Sequence, residues 1–293
     1  KNYPISHTAK GNCPPVRKVS CGGLTGKIMN IPNVSIKQLL EAGVHLGHKT
    51  LRWNPRMKQF IYGEKNSIHI IDLTQTVVLI KNAMKEVHKC ISSGGKLLIV
   101  STKKQAAETI LKLAKDTEQY YVNYRWLGGM LTNWQTIQNS IKRLKKLEKD
   151  LSKEDIGFTK KEILKLEKEK EKLNRSLGGI SNMNKIPEMI FVIDTNVESI
   201  AIKEAIKLKI PIVAVLDSNS DPTGINHPIP GNDDARRSID LYCELLKATI
   251  IDAKKNIVAN KINSEMENKK SIAVIKEQSS KKKDNSSKKN LNK

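Results

Sequence analysis

Residues 188–218 read EMIFVIDTNVESIAIKEAIKLKIPIVAVLDS, and this stretch decides the fold. An apolar run, MIFVI (189–193), precedes a segment with helical spacing, and a second apolar run, IVAVL (212–216), follows that segment. Apolar runs of this length are typical of strands buried on both faces, and the helix between them makes the connection parallel. The same alternation recurs from residue 36 onward. The sequence therefore predicts an α/β fold with a doubly wound parallel sheet wrapped by helices.

Strand and helix signals alternate along most of the chain. Apolar runs of strand length alternate with segments that place apolar residues three and four positions apart. The expected helix caps are Ser35, Thr74 or Thr76, and Asn232 or Asp233. The expected strands span 67–73, 96–102, 119–123, 188–194 and 210–218, and the expected helices span 36–43, 74–91, 103–117, 197–209 and 233–255.

A different pattern interrupts this alternation at residues 135–178. Two narrow apolar stripes, within 137–151 and 163–177, are surrounded almost entirely by Lys and Glu, and turn signals separate them at 152–159. Stripes this narrow are typical of helices that pack along a single seam. The sequence predicts an antiparallel coiled-coil hairpin that projects from the α/β domain. The alternative is a charged helix packed on its own domain.

These patterns divide the chain into parts. The predicted parts are an extension at 1–28, a discontinuous α/β domain at 29–134 and 179–253, the hairpin at 135–178 and a tail at 254–293. The extension is basic and without periodicity, which is consistent with disorder, with organelle targeting or with translation upstream of a start at Met29. The tail carries 12 Lys against four acidic residues and is expected to be disordered.

The net charge is the strongest compositional signal. The chain of 293 residues has 52 Lys and Arg against 30 Asp and Glu, a formal net charge of +22. Positive charges in such excess repel one another in the folded state and are tolerated most easily beside a polyanion. Nucleic acid is therefore the expected partner. A second explanation, overuse of lysine codons in an AT-rich genome, is compatible with a nucleic-acid partner. No apolar run approaches the roughly 20 residues of a membrane span, so no membrane partner is expected.

The segment HKTLRWNPRMKQFIYG (48–63) is the first candidate nucleic-acid surface. Its Lys and Arg residues can neutralise phosphates, and its aromatic rings can stack on unpaired bases. Pro55 and the absence of periodicity predict an extended loop; the alternative is that Trp53 and Phe60 pack inward. The candidate binding residues are Lys49, Arg52, Trp53, Arg56 and Lys58, with Lys103, Lys104, Arg125, Arg236 and Arg237 from elsewhere in the chain.

The segment YRWLGGMLTN (124–133) joins a predicted strand to the hairpin. Glycine permits backbone angles that other residues avoid and a close approach of two backbones. A second Gly pair ends the hairpin, so the two pairs bracket the insertion as a hinge, and the tryptophans can anchor it to the sheet while Arg125 is left for phosphate. The predicted hinge and anchor residues are Trp126, Gly128, Gly129, Trp134, Gly178 and Gly179.

Two aspartates mark the ends of neighbouring predicted strands. Asp194 and Asp217 fall at carboxyl ends, where open α/β sheets bind ligands. With His45 they could hold a divalent cation; the alternative is helix capping and loop hydrogen bonding. No glycine-rich phosphate loop or nucleophile elbow follows a predicted strand, so no catalytic residue, required cofactor or enzyme activity is expected. A nucleotide- or metal-dependent enzyme that uses the two aspartates is an alternative of another class.

Several segments, in order, resemble the family of ribosomal proteins numbered two in the small subunit, of bacterial or organellar type. The segments are LLEAGVHLGHKTLRWNPRM (39–57), RWLGGMLTNW (125–134), SLGGI (176–180), PEMIFVID (187–194), SNSDP (218–222) and IPGNDDARRSI (229–239). The resemblance covers about residues 31–250, and the lysine-rich tail lies outside it.

The resemblance implies a flavodoxin-like parallel sheet with a protruding coiled-coil hairpin, and no enzyme activity. It implies binding to small-subunit rRNA between head and body, late entry into the assembling subunit, and contact with neighbouring proteins, including small-subunit protein one where that protein exists. The long hairpin favours the cytoplasmic ribosome of a bacterium, with the ribosome of an organelle as the alternative. A hairpin scaffold that binds only proteins is a third reading, disfavoured by the charge.

Overall fold

The structure, a computed structural model, describes residues 32–152 and 159–257. The extension predicted at 1–28 lies outside the described residues, as do most of the tail predicted at 254–293 and most of the turn predicted at 152–159. The domain boundaries predicted at those segments therefore stay predictions.

Seven helices and eight strands account for most of the described residues. The helices are α1 (Ile36–Glu41), α2 (Leu73–Ser92), α3 (Lys104–Thr117), α4 (Trp134–Leu151), α5 (Lys160–Leu177), α6 (Ser199–Lys207) and α7 (236–257). The strands are β1 (Leu46–Lys49), β2 (Ile61–Lys65), β3 (Ile68–Ile71), β4 (Leu97–Val100), β5 (Tyr120–Val122), β6 (Met189–Ile193), β7 (Ile212–Leu216) and β8 (His227–Pro230). None of the helices in the described ranges combines the length and the apolar character needed to cross a bilayer.

A five-stranded parallel sheet is the centre of the molecule, as predicted. Its strand order is β5-β4-β6-β7-β8, and every neighbouring pair is parallel. Counted from β4 as the first strand, this is the order 2-1-3-4-5, which is consistent with a flavodoxin-like fold. The predicted α/β class is confirmed.

The sheet is buried on both faces because successive residues of each strand enter two different cores. On β6, Met189, Phe191 and Ile193 pack into one core with α2, α3 and α7, while Ile190 and Val192 pack into a second core on the opposite face. All five residues are buried. A strand with two apolar faces reads as a continuous apolar run, which is why the central strands were visible in the sequence.

A small antiparallel sheet of β1, β3 and β2 occupies residues 46–71. The extended loop predicted at 48–63 is therefore wrong, since 3-10 turns and two short strands fill this segment. Each strand is four or five residues long, and the pairing contains irregular registers. The sequence therefore shows no sustained alternation of apolar and polar residues. Phe60 is buried, as the alternative reading proposed, whereas Trp53 keeps 39% of its surface exposed.

The first long helix begins earlier than expected. Asp72, not Thr74 or Thr76, is the N-cap of α2, and its Oδ1 accepts a hydrogen bond from the Thr74 backbone N–H at 2.9 Å. An aspartate at the end of a strand caps as well as a threonine, so the sequence alone could not choose between them. Ser35 caps α1 as predicted, and Asn232 Oδ1 accepts from two backbone N–H groups just before α7.

Strand β8 was missed because its sequence, HPIP, contains two prolines. It lies at the edge of the sheet, next to β7 only, where proline is tolerated. Pro230 has no N–H, and its carbonyl oxygen accepts a hydrogen bond from the Thr76 hydroxyl at 2.9 Å. Helix α2 thus covers this end of the edge strand.

Helices α4 and α5 lie in sequence between β5 and β6 and pack against each other. Ile137 and Ile141 of α4 join the second core together with Leu177 of α5. Further along the pair, Arg143 and Glu169 form an ion pair at 2.5 Å. The start of α4 and the end of α5 therefore share one core with the sheet.

We predict that Phe191→Ala lowers the free energy of unfolding by about 3–5 kcal/mol, because it removes a fully buried ring from the central strand β6. Urea denaturation measures this change. Leu51→Ala, at a side chain that is 94% exposed, is the control and should change stability by no more than about 0.5 kcal/mol. Equal effects of the two substitutions would contradict the assigned core.

Candidate functional site

The carboxyl ends of the parallel strands meet at one edge of the sheet, and a single lysine lies at their centre. The Lys103 ammonium is 2.8 Å from Asp194 Oδ2, 2.9 Å from Asp233 Oδ1 and 2.6 Å from Asp234 Oδ1. Lys103 follows β4 and Asp194 follows β6, which are the two strands at the topological switch point. The crevice in which open α/β sheets bind ligands is thus filled by the chain's own side chain.

Lys103 is therefore committed to carboxylates. Its side chain is 13% exposed, and burial alone would lower its pKa, but the Asp233 charge and the hydrogen bonds to Asp194 and Asp234 raise the pKa above its usual value. Lys103 was predicted to contact phosphate. In the structure, the Lys103 ammonium is paired with three carboxylates, which a phosphate would have to displace.

The structure groups a different set of ligand atoms from the one predicted. Asp194 is at φ +68°, and its Oδ1 accepts from the backbone N–H of Asn196 at 2.8 Å while its Oδ2 faces Lys103, which fits the capping alternative. His45 Nδ1 is buried without a hydrogen-bond partner among the described residues. The predicted Asp217 is instead grouped with His48 and Asp233, each of which offers one atom within 4.8 Å of the others.

His48 lies between two carboxylates. Its Nδ1 is 2.9 Å from Asp217 Oδ2, and its Nε2 is 3.3 Å from Asp234 Oδ2. The hydrogen bond to Asp217 raises the pKa of His48, against the opposing effect of burial. Burial and the charges of Asp194 and Asp217 raise the pKa of Asp233 to about 7. Asp233 was visible in the sequence only as a helix cap, and its place beside His48 comes from the fold.

The cations of residues 49–58 form an exposed surface next to the small antiparallel sheet, which we call the loop surface. The Trp53 ring lies 5.5 Å from the His69 ring, centroid to centroid, at an interplanar angle of 46°. Arg56 pairs with Asp221 at 2.8 Å and donates to the Thr223 hydroxyl at 2.6 Å. The exposed cations of this surface are Lys49, Arg52, Arg56 and Lys58.

A second cationic surface lies where α5 passes the segment after β5. Arg125 and three cations of α5, Lys168, Lys172 and Arg175, line a cleft of about 460 Å³ together with residues 126–128. Glu171 is the one acidic residue in this lining. We call this cleft the base cleft. The α5 cations were missed because a Lys- and Glu-rich helix shows no site in sequence, and only the fold brings them to Arg125.

Tyr124 gives the base cleft an aromatic wall. The residue is 57% exposed, which is unusual for a large aromatic residue, and its side chain is hydrogen-bonded with Arg175. The neighbouring Arg175 forms an ion pair with Glu171 at 2.5 Å. An open ring beside several cations is an arrangement suited to an unpaired base and its phosphates.

Glu204 of α6 fixes the loop that forms the wall of this cleft. Its Oε1 accepts from the Trp126 indole N–H at 3.1 Å and the Gly129 backbone N–H at 2.7 Å. Its Oε2 accepts from the backbone N–H groups of Leu131 at 2.9 Å and Thr132 at 3.1 Å. Burial alone would raise the pKa of Glu204, but these hydrogen bonds outweigh burial and hold the pKa below its usual value. No motif in the sequence pointed to this residue.

The predicted hinge and anchor residues lie at this junction. Gly129 is at φ +80°, and a side chain at Gly179 would collide with the Tyr121 carbonyl oxygen. Gly178 is the C-cap of α5 with helical angles, and a side chain at Gly128 would meet open space, so neither glycine is required by its backbone. Trp126 is buried and Trp134 is partly buried, both against the second core.

The remaining predicted cations lie at the starts of two helices on the carboxyl side of the sheet. Lys104 is the first residue of α3, and Arg236 and Arg237 open α7; all three are exposed. Arg236 is 3.3 Å from Glu108, an ion pair between two exposed side chains that contributes little to stability. These cations remain open to solvent and to a ligand.

We predict that Glu204→Gln lowers the free energy of unfolding by about 1–3 kcal/mol, because the amide group would face two N–H donors. The wild-type advantage should be complete above the unfolded-state pKa of about 4.5 and should shrink as pH falls below it toward the lower folded-state pKa. Urea denaturation from pH 7 to pH 3 measures both. Glu167→Gln, at an exposed position of α5, is the control, and an equal loss there would contradict this role.

Comparison with known proteins gives a consistent result. A family model described as ribosomal protein S2 matches residues 39–253. The chain is 58% identical over 224 residues to the small ribosomal subunit protein uS2 of Sinorhizobium medicae, covering 76% of this chain and 88% of that protein. It is 57% identical over 224 residues to the protein of the same name from Bartonella henselae, with 76% and 87% covered. For that of Brucella suis the identity is 58% over 224 residues, with 76% and 88% covered.

Proposed function

We propose that this chain, which belongs to the ribosomal protein S2 family, binds small-subunit rRNA through two cationic surfaces. The family match and the bacterial relatives make the chain a structural constituent of the small ribosomal subunit in the bacterial cytoplasm, and not an enzyme. Those predictions are confirmed.

The base cleft is the observation that carries this proposal. Arg125, Lys168, Lys172 and Arg175 place four positive charges around a cleft that contains one carboxylate. Phosphate contacts supply most of the affinity of such surfaces and are independent of sequence. The open ring of Tyr124 adds a stacking surface, so the cleft would take an unpaired nucleotide together with its flanking phosphates.

The loop surface would form the second contact. Lys49, Arg52 and Lys58 are exposed, and the half-exposed Trp53 ring is held beside His69. Arg56 can contact RNA only while sharing its guanidinium with Asp221, because the two groups are already paired. Lys104, Arg236 and Arg237 extend the cationic surface along the carboxyl edge of the sheet.

The α4–α5 pair would act as an arm of the domain formed by 29–134 and 179–253. We infer that 135–178 form an antiparallel coiled-coil hairpin, because Ile137 lies in one core with Leu177 and because Arg143 pairs with Glu169. The arm would reach a second rRNA or protein surface. On the strength of the resemblance, we place the protein between head and body, late in assembly, and beside small-subunit protein one.

We predict that replacing Arg52, Arg56 and Arg125 with Ala weakens binding to small-subunit rRNA and flattens its salt dependence. Each lost phosphate contact lowers the slope of log affinity against log salt by about 0.7–0.9, so three lost contacts lower it by about 2–3. Filter binding of the full chain across a salt series measures both quantities.

The control for this variant removes the same net charge elsewhere. Lys85, Lys89 and Lys255 are exposed and lie on α2 and α7, which pack against the opposite face of the sheet from the base cleft. Their replacement by Ala should leave the slope nearly unchanged. If both triple variants lose equal affinity and slope, the charge acts without a located surface and the proposed contacts are wrong.

We predict that Tyr124→Ala weakens rRNA binding by the value of one base stack, about 1–3 kcal/mol, which is roughly 5- to 150-fold in Kd. The salt slope should not change, because no cation is removed. Tyr124→Phe keeps the ring and should keep the affinity. An unchanged Kd for Tyr124→Ala would show that no base stacks in the base cleft, while the charge series would still test the phosphate contacts.

A further inference from the structure

We propose that His48, Asp217 and Asp233 form a binding site for one divalent cation of the kind that zinc represents. Each residue offers one ligand atom, and these atoms lie within 4.8 Å of one another. The site lies at the carboxyl edge of the sheet and shares Asp233 with the group of carboxylates around Lys103. None of its three residues lines the base cleft, and His48 directly precedes Lys49 of the loop surface.

The spacing of the first two ligands suits a small cation. His48 Nδ1 and Asp217 Oδ2 are 2.9 Å apart. Nitrogen and oxygen ligands lie about 2.0–2.1 Å from zinc, so two of them at a tetrahedral centre are about 3.3 Å apart. The two side chains need to separate by only a few tenths of an ångström. Asp217 Oδ1 is held by the Ser218 backbone N–H, which leaves Oδ2 for the ion.

An unpartnered buried oxygen points to the missing ion. The Asp233 side chain is 1% exposed, and Oδ1 is paired with Lys103 at 2.9 Å. Its Oδ2 is buried and has no hydrogen-bond partner among the described residues, and the same holds for the hydroxyl of Tyr242. Tyr242 is close enough to Asp217 and Asp233 for both charges to act on it. Buried polar atoms are almost always satisfied, so the free Oδ2 of Asp233 indicates a further partner.

The balance of charge also calls for a cation. Asp194, Asp217, Asp233 and Asp234 bring four carboxylates to this edge, against the one ammonium of Lys103. Asp194, Asp217 and Asp233 are buried, so a cation bound beside them would compensate negative charge that water cannot screen.

The outer contacts fix the proposed ligands in a way that favours zinc. His48 Nε2 is 3.3 Å from Asp234 Oδ2, so the second ring nitrogen can donate to a carboxylate while Nδ1 binds the ion. Histidines that bind metals are almost always oriented by such a partner. A mixed set of one imidazole and two carboxylates suits Zn²⁺ better than Mg²⁺ or Ca²⁺, which prefer oxygen ligands alone.

The test is metal titration of the purified full chain after removal of metal by a chelator. Isothermal titration with ZnCl₂ should show one site per chain, and Asp233→Asn should lose at least about 100-fold in affinity. Asp221→Asn removes the same charge from an exposed aspartate and should bind zinc like the wild type. Circular dichroism of each variant without metal, and His48→Gln as a second ligand variant, separate loss of the site from loss of the fold.

Co²⁺ separates this site from the cysteines of the chain. Cobalt bound by His and Asp should absorb in the visible range without a thiolate charge-transfer band, and this spectrum should vanish in Asp233→Asn. Equal zinc affinity of the wild type and of Asp233→Asn would overturn the proposal, as would a thiolate band or the absence of any zinc binding. Binding of Mg²⁺ in place of Zn²⁺ would overturn the assignment of the ion. None of these results depends on rRNA.

Discussion

The structure depends on compensation of charge where its parallel strands end. Parallel strands bring their carboxyl ends to one edge, and this edge carries Asp194, Asp217, Asp233 and Asp234. Lys103 is paired with three of them and so joins the ends of β4 and β6 to the start of α7. Removing the lysine would leave buried carboxylates unpaired, which costs more than the ion pairs contribute. The place that other doubly wound sheets reserve for a ligand is here a structural centre.

A buried carboxylate has a comparable structural role where the sheet meets the α4–α5 pair. Glu204 is the acceptor for an indole and for three backbone N–H groups within residues 126–132. These hydrogen bonds hold the loop before α4 in place, so the wall of the base cleft is preorganised. A ligand that binds there would not have to order this loop, so less of the interaction energy is lost on binding.

The strands buried on both faces could be predicted because their requirement is local: each residue must be apolar. Phe191 and Val213 show this in the sequence without any knowledge of their neighbours. The edge strand β8 and the small sheet could not be predicted, because prolines and irregular registers remove the periodic signal. The sites were visible only in part. Arg52 and Arg125 stood out beside aromatics, whereas Lys168, Lys172 and Glu204 acquire their roles from contacts between segments distant in the chain.

The proline-containing edge has a consequence for the protein before it reaches the ribosome. An open sheet edge with free N–H groups can recruit a strand from another molecule and so begin aggregation. On β8, Pro228 and Pro230 lack N–H groups, and the Pro230 carbonyl oxygen is already occupied by Thr76. A second chain therefore finds no row of donors along this strand. The β8 edge of newly made copies is therefore closed to strand addition while they await assembly.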